Sequence, residues 1–143
     1  MRVSDLLAVK GREVATISQE RCVEDAIAML KSHGIGALVV TGPTPPLTGI
    51  LSERDVVRAL AEHGSSVLQS PVAELMSSEV TVCDEETTVT ELMGIMTGRR
   101  IRHVPVIDGE RLVGMVSIGD VVKARLDELE HEKKELLDYV SSW

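Results

Sequence analysis

The chain has 143 residues, enough for one compact domain or two small halves that share a core. Its apolar fraction of 43% is that of a globular protein, and the core must be aliphatic, because Phe is absent and Tyr139 and Trp143 are the only aromatics. A net charge of −8 and the lack of stacking rings argue against nucleic-acid binding, which draws on basic side chains for phosphate and aromatic faces for bases.

Val3–Leu7 reads as a short helical turn, followed by a loop pivoting at Gly11. Val14–Ile17 is a short strand. A helix then runs to about His33, with Val23, Ala26, Ile27 and Leu30 at the i, i+3, i+4, i+7 positions and Gly34 as its left-handed cap. Gly36–Thr41 has the unbroken apolar character of a strand buried on both faces. The proline-rich GPTPP at Gly42–Pro46 is a rigid turn. Leu47–Leu51 is the next strand, and Ser52 opens a helix to about His63.

After a polar connector at Ser65–Ser70 the order begins again. VAELM at Val72–Met76 matches VSDLL, and EVTVC at Glu79–Cys83 matches EVATI at Glu13–Ile17. Val89–Thr97 is a helix with Val89, Leu92, Met93 and Met96 on one face. Arg102–Ile107 matches Gly36–Thr41, Asp108-Gly109 supplies a hairpin turn, and Arg111–Val116 is the last strand. The repeat spans roughly 65 residues, and such duplication is the most informative organisational feature of a sequence. Each β-α-β-β-α half alone leaves apolar surface uncovered. The two are therefore expected to pack through pseudo-two-fold symmetry as an α+β fold, with a long C-terminal helix added. The expected boundaries are 1–64, 65–126 and 127–143.

One motif recurs at the same place in both halves: GILSERDVV at Gly49–Val57 and GMVSIGDVV at Gly114–Val122. Each reads as a strand that passes directly into a helix, with Ser as N-cap and Asp in the first turn. Ser-x-x-Asp at a helix start is an ordinary capping arrangement. It is also a sugar-phosphate site in outline: a helix start attracts phosphate, and a carboxylate accepts two hydrogen bonds from a ribose diol. Recurrence in both halves favours the second reading.

Beyond Asp120 the repetition ends. Val121–Val140 reads as one helix with Val122, Leu126, Leu129, Leu136 and Val140 on a seam spaced at three and four, interrupted by Lys133. It is either a solvated helix with an intrachain apolar face or a contact for a dimer or another protein. Cys22 and Cys83 are far apart and lack metal-ligand spacing, so neither a disulfide framework nor a zinc site is implied. Met1 leads straight into Arg2–Asp5 with no apolar signal region, and no stretch approaches the ~20 apolar residues of a membrane span. A soluble cytoplasmic protein is expected, with neither membrane nor nucleic acid as partner.

The paired G-h-h-S-x-x-D motifs, the RHVPV strand at Arg102–Val106 and the duplicated element order resemble a tandem CBS-domain pair, or Bateman module, over residues 3 to about 126. The resemblance is to the stand-alone members, with no catalytic or transporter domain attached. It implies binding of an adenosine nucleotide (AMP, ADP or ATP, in some members NADH or S-adenosylmethionine) and disc-shaped homodimers. Transferred residue by residue, it implies that Asp120 and Asp55 bind ribose in two separate clefts. Ser117 with the amides of Ile118 and Gly119 would hold phosphate in one cleft, and Ser52 with Arg54 in the other. Val14, Ala15, Ile35, Gly36, Ala37 and Met115 would line the adenine side of the Asp120 cleft. Val80, Thr81, Arg100, Ile101, Arg102 and Ile50 would do so in the Asp55 cleft. Lys10, Arg102 and His103 are candidate phosphate neighbours.

The two clefts are not expected to be equal. Glu53 and Arg54 make the first helix start charged, whereas Ile118 and Gly119 leave the second neutral and small, which favours the Asp120 cleft. His103 has no nucleophile or metal partner in the pattern, and His33, His63 and His131 fit helix ends or charged faces. Arg99, Arg100 and Arg102 form a basic run suited either to a solvated helix end or to compensating bound phosphate. The function expected is a non-catalytic regulatory module. The competing expectation is a ligand-independent interaction protein acting through the C-terminal helix.

Overall fold

A computed structural model describes all residues, 1–143. In the first half, α1 (Val3–Lys10) leads to β1 (Thr16–Ser18), α2 (Val23–His33), β2 (Ala37–Thr41), β3 (Gly49–Ser52) and α3 (Glu53–His63). A 3-10 turn at Gly64–Gln69 connects to α4 (Val72–Leu75), α5 (Val89–Arg99), β4 (His103–Asp108), β5 (Arg111–Ser117) and α6 (Ile118–Ser141). The connector is not wholly polar in role, since Val67 is buried.

The first sheet has the order β1-β2-β3, with Ile17 opposite Val40 in a parallel pair and Leu38 opposite Leu51 in an antiparallel one. The second sheet is only β4-β5, antiparallel, with Val104 opposite Val116. The strand expected at Glu79–Cys83 is reduced to a single parallel bridge between Cys83 and Val106. The cause is Pro105. In the first half the Val39 N–H donates to the Ala15 carbonyl at 3.2 Å. Pro105 occupies the matching place and has no N–H to give Thr81. Only the Cys83 N–H to Pro105 O bond (3.0 Å) and the Ile107 N–H to Cys83 O bond (2.9 Å) survive.

Two aliphatic cores form, one behind each sheet. The first gathers Ile17, Val23, Leu30, Leu38, Val40, Leu51 and Val56, the second Val89, Leu92, Met96, Val104, Val106, Val116 and Val121. The leading helices are exchanged. Val3, Leu6 and Leu7 of α1 sit in the second core, and Val72 of α4 in the first. Equivalent backbone bonds stitch both exchanges: Val3 N–H to Thr87 O (2.8 Å) and Val89 N–H to Met1 O (2.9 Å), Val72 N–H to Arg21 O (2.7 Å) and Val23 N–H to Ser70 O (3.0 Å). Each half thus completes the other's core, which is the physical content of the pseudo-two-fold symmetry. No helix is long and apolar enough to cross a membrane.

Candidate functional site: a cleft at the start of the last helix

Both Ser-x-x-Asp motifs form full capping boxes. At α6 the Asp120 N–H donates to Ser117 Oγ (3.2 Å) and the Ser117 N–H to Asp120 Oδ2 (2.8 Å). At α3 the Asp55 N–H donates to Ser52 Oγ (3.2 Å) and the Ser52 N–H to Asp55 Oδ2 (2.9 Å). Capping alone therefore accounts for the local geometry of both. What lies around them differs.

In front of Asp120 opens a cleft of about 1110 Å³. Its walls contain Lys10, Val14, Ala15, Ile35, Gly36, Ala37, His103, Met115, Ser117 and Asp120, all singled out from the sequence. Gly11, Arg12, Glu13, His33 and Gly34 also line it and were not singled out as ligand contacts. Glu13 lies in the repeated EVATI segment, and His33-Gly34 directly precedes the strand forming one wall, so continuity with those segments was the available signal.

Three residues expected here lie elsewhere. Ile118 packs against the second core and its N–H is spent on Arg102 O at 2.8 Å. It therefore has no amide to offer phosphate. Gly119 and the Arg102 side chain are exposed outside the cleft wall.

The electrostatics of the cleft centre on Lys10. Its ammonium donates to the Met115 carbonyl (2.6 Å) and is ion-paired with the Asp120 carboxylate. Partial burial works to raise the Asp120 pKa, but the Lys10 hydrogen bond and the Ser117 N–H outweigh it and hold the carboxyl below its ordinary range. Burial pushes the His103 imidazole below its ordinary value, and the Lys10 charge adds to this, against the pull of Asp120 and Glu53. His103 is thus set to be neutral near pH 7, and its ring lies 3.2 Å from where a Cβ on Gly36 would stand. Arg12 is tied to Glu85 across the exchange.

The Asp55 side is closed differently. Met76-Ser77 runs against β3, with the Ile50 N–H donating to Ser77 O (3.0 Å) and the Ser77 N–H to Ile50 O (2.9 Å). Asp55 meets the Ser52 hydroxyl (3.0 Å). Of the residues expected in this cleft, only Asp55 lines the nearby groove of about 220 Å³, which it shares with Arg58, Ala59, Glu62, His63, Glu74 and Leu75. Arg54 is exposed. Thr81 accepts from Arg99 Nη1 (3.0 Å), so the structure uses Arg99 of the basic run to tie down the neighbouring segment. Val80 and Ile101 are half-buried away from the groove, and Ile101 packs on the second core. Arg100 is exposed in the left-handed conformation at the end of α5.

Burial pushes the Cys83 thiol up to about 11, with Asp84 adding to it, which leaves it a protonated core residue. Neither cysteine is in a disulfide, and no group of His, Cys, Asp and Glu is arranged to hold a metal ion.

The CBS domain family model matches twice, over residues 3–62 and 72–127. The chain is a tandem CBS-domain pair. A CBS domain-containing protein of Arabidopsis thaliana, CBSX3, mitochondrial, is 37% identical to the pair over 96% of its length and 71% of that protein. The structure of the CBS-domain containing protein ATU1752 from Agrobacterium tumefaciens is similar with a TM-score of 0.84 at 46% identity, covering 87% of this pair and 99% of that chain. The CBS domain pair of MJ0100, solved in complex with 5′-methylthioadenosine and S-adenosyl-L-methionine, superposes with a TM-score of 0.79 at 25% identity, over 90% of this pair and 98% of that chain.

Proposed function

We propose that this CBS pair is a non-catalytic sensor that binds an adenosine nucleotide, AMP foremost and ADP, ATP, NADH or S-adenosylmethionine as alternatives, in the Asp120 cleft. The observation that carries the proposal is the cleft of about 1110 Å³ opening onto a capped helix start whose carboxylate is ion-paired with Lys10. Val14, Ala15, Ile35, Gly36, Ala37 and Met115 offer apolar and backbone surface to the base. Asp120 takes the ribose hydroxyls. Lys10 then exchanges its carboxylate for phosphate, joined by the Ser117 hydroxyl. A relative that binds adenosine-type ligands supports the ligand class.

The Asp55 side is the weaker site, because Ser77 already occupies the β3 edge there and the Asp55 carboxylate meets the Ser52 hydroxyl, where Asp120 is ion-paired with Lys10. Its ligand would rely on Ser52, Arg54 and the Arg100–Arg102 segment. The functional units are residues 1–64 and 65–126, with 127–143 as the C-terminal extension of α6. Binding changes a homodimer or partner surface, as a ligand does only when its affinity differs between two states. Two unpaired thiols suit a reducing compartment such as the cytoplasm.

A ligand that binds only the folded state raises its melting temperature by mass action. The test is a thermal-shift panel of AMP, ADP, ATP, NADH and S-adenosylmethionine on the purified chain. A shift that saturates with one of them is expected. No shift with any would overturn the proposal and favour a module that works through its C-terminal helix without a ligand.

A further inference from the structure

The last helix outruns the fold it belongs to. With 24 residues, α6 is about 36 Å long. Val121 and Ala124 are buried, and Glu128, which approaches the Met1 amino group at 3.9 Å, is the last residue held against the domain. Every residue from Leu129 onward is exposed. A lone helical stretch of that length is marginal in water, and this one gains nothing from tertiary packing.

The exposed surface is ordered. Val122, Leu126, Leu129, Lys133, Leu136, Val140 and Trp143 follow one another at alternating steps of four and three. That is the a/d seam of a heptad, narrower than the broad stripe of a helix lying on a globular core. The apolar members are 44–88% exposed, so a row of apolar side chains along one face of α6 is left uncovered by the rest of the chain. The seam lies roughly a third of a turn from the core-facing Val121, Ala124 and Glu128, so a second helix can lie along it without lifting α6 from the domain.

Charge selects the occupant. In a parallel, in-register pair of α6 helices, Arg125 at a g position meets Glu130 at e of the second copy. Lys133, the single polar a residue, reaches Glu132 at g of the second copy. In an antiparallel pair Lys133 instead falls opposite Leu136 and its ammonium is desolvated without a carboxylate. An anionic lipid surface is disfavoured, since acidic residues outnumber basic ones along α6. We propose that α6 pairs with α6 of a second copy as a parallel, in-register, two-stranded coiled coil, with Lys133 fixing the register.

The proposal is independent of nucleotide, and its test needs none. Full-length Leu136→Cys places thiols at facing d positions, whereas Glu135→Cys places them on the flank. Under mild oxidation Leu136→Cys is expected to give a covalent dimer on a non-reducing gel, with at least about fivefold less from Glu135→Cys and none from the natural cysteines. By sedimentation velocity, full-length Leu136→Asp is expected to dimerise at least about tenfold more weakly, with its helical content otherwise retained. Equal cross-linking of the two cysteine variants, absence of cross-linking, or a monomeric parent chain at tens of micromolar would overturn it. Should Leu136→Asp fail to fold, the cysteine comparison decides alone.

Discussion

The two helix starts carry the same motif and the same capping box, yet one faces an open cleft and the other a paired strand edge. The difference begins in the leading helices. α1 continues for eight residues to Lys10, and its last side chain reaches Met115 O and Asp120. α4 stops after four, at Leu75, and the chain that follows lies down on β3 through Ser77. The carbonyl of Met115 accepts from a side chain that can leave; the equivalent carbonyl of Ile50 accepts from backbone that cannot. Two copies of one motif become a candidate site and a structural joint because of residues outside the motif.

The largest expected effect is on ligand binding. Asp120→Ala should weaken nucleotide affinity about 10- to 100-fold, the scale of losing hydrogen bonds to a charged acceptor, as read by calorimetry with AMP. Asp55→Ala should cost less, and the reverse order would break the ranking of the two clefts.

Next come the glycines that open each motif. A Cβ on Gly114 would stand 2.7 Å from a methyl of the buried Leu7, and one on Gly49 would stand 2.7 Å from Met76 Sδ and 2.8 Å from the Ser77 carbonyl. Each Gly→Ala change should destabilise by about 1–3 kcal/mol in urea unfolding. Gly49→Ala should be the costlier, because its obstacle is hydrogen-bonded backbone. Equal or smaller losses there would mean that the Met76-Ser77 segment is loosely held against β3.

Acid should probe the Asp120–Lys10 pair. Asp120 has a depressed folded pKa, so its contribution to stability is present above the ordinary carboxylate value and is lost as pH falls through the depressed one. Replacing Lys10 with Met removes much of that depression. The melting temperature of Lys10→Met should therefore fall below the parent at pH 7 and converge on it once the pH has fallen below the depressed Asp120 value. An equal deficit at both values would show that Lys10 acts through packing alone.

The smallest effect concerns helix ends. α2 closes on Gly34 at φ 63°, whereas α5 closes on Arg100 at φ 55°, a conformation that a side chain disfavours. Arg100→Gly should raise stability by about 1 kcal/mol in denaturant melts. No gain would mean that the Arg100 side chain contributes a contact of its own.

Much of this architecture was legible as pattern. The periodic apolar positions of α2 and α5, the two capping boxes and the heptad steps along α6 are local properties, and local spacing encodes them directly. The Glu79–Cys83 strand failed because a strand needs a partner that donates, and Pro105 is remote in sequence and cannot. Ile118 looked like a phosphate amide from its place beside Ser117. Its N–H was taken by Arg102 O, a contact that exists only once β4 and β5 pair.

The duplication, the aliphatic cores and the two capped helix starts follow from residue type and short-range spacing alone. Tertiary structure alone decided which helix start opens onto a cleft. That choice depends on α1 crossing to the other half and on where Ser77 comes to rest, and both are settled by burying apolar surface between segments distant along the chain.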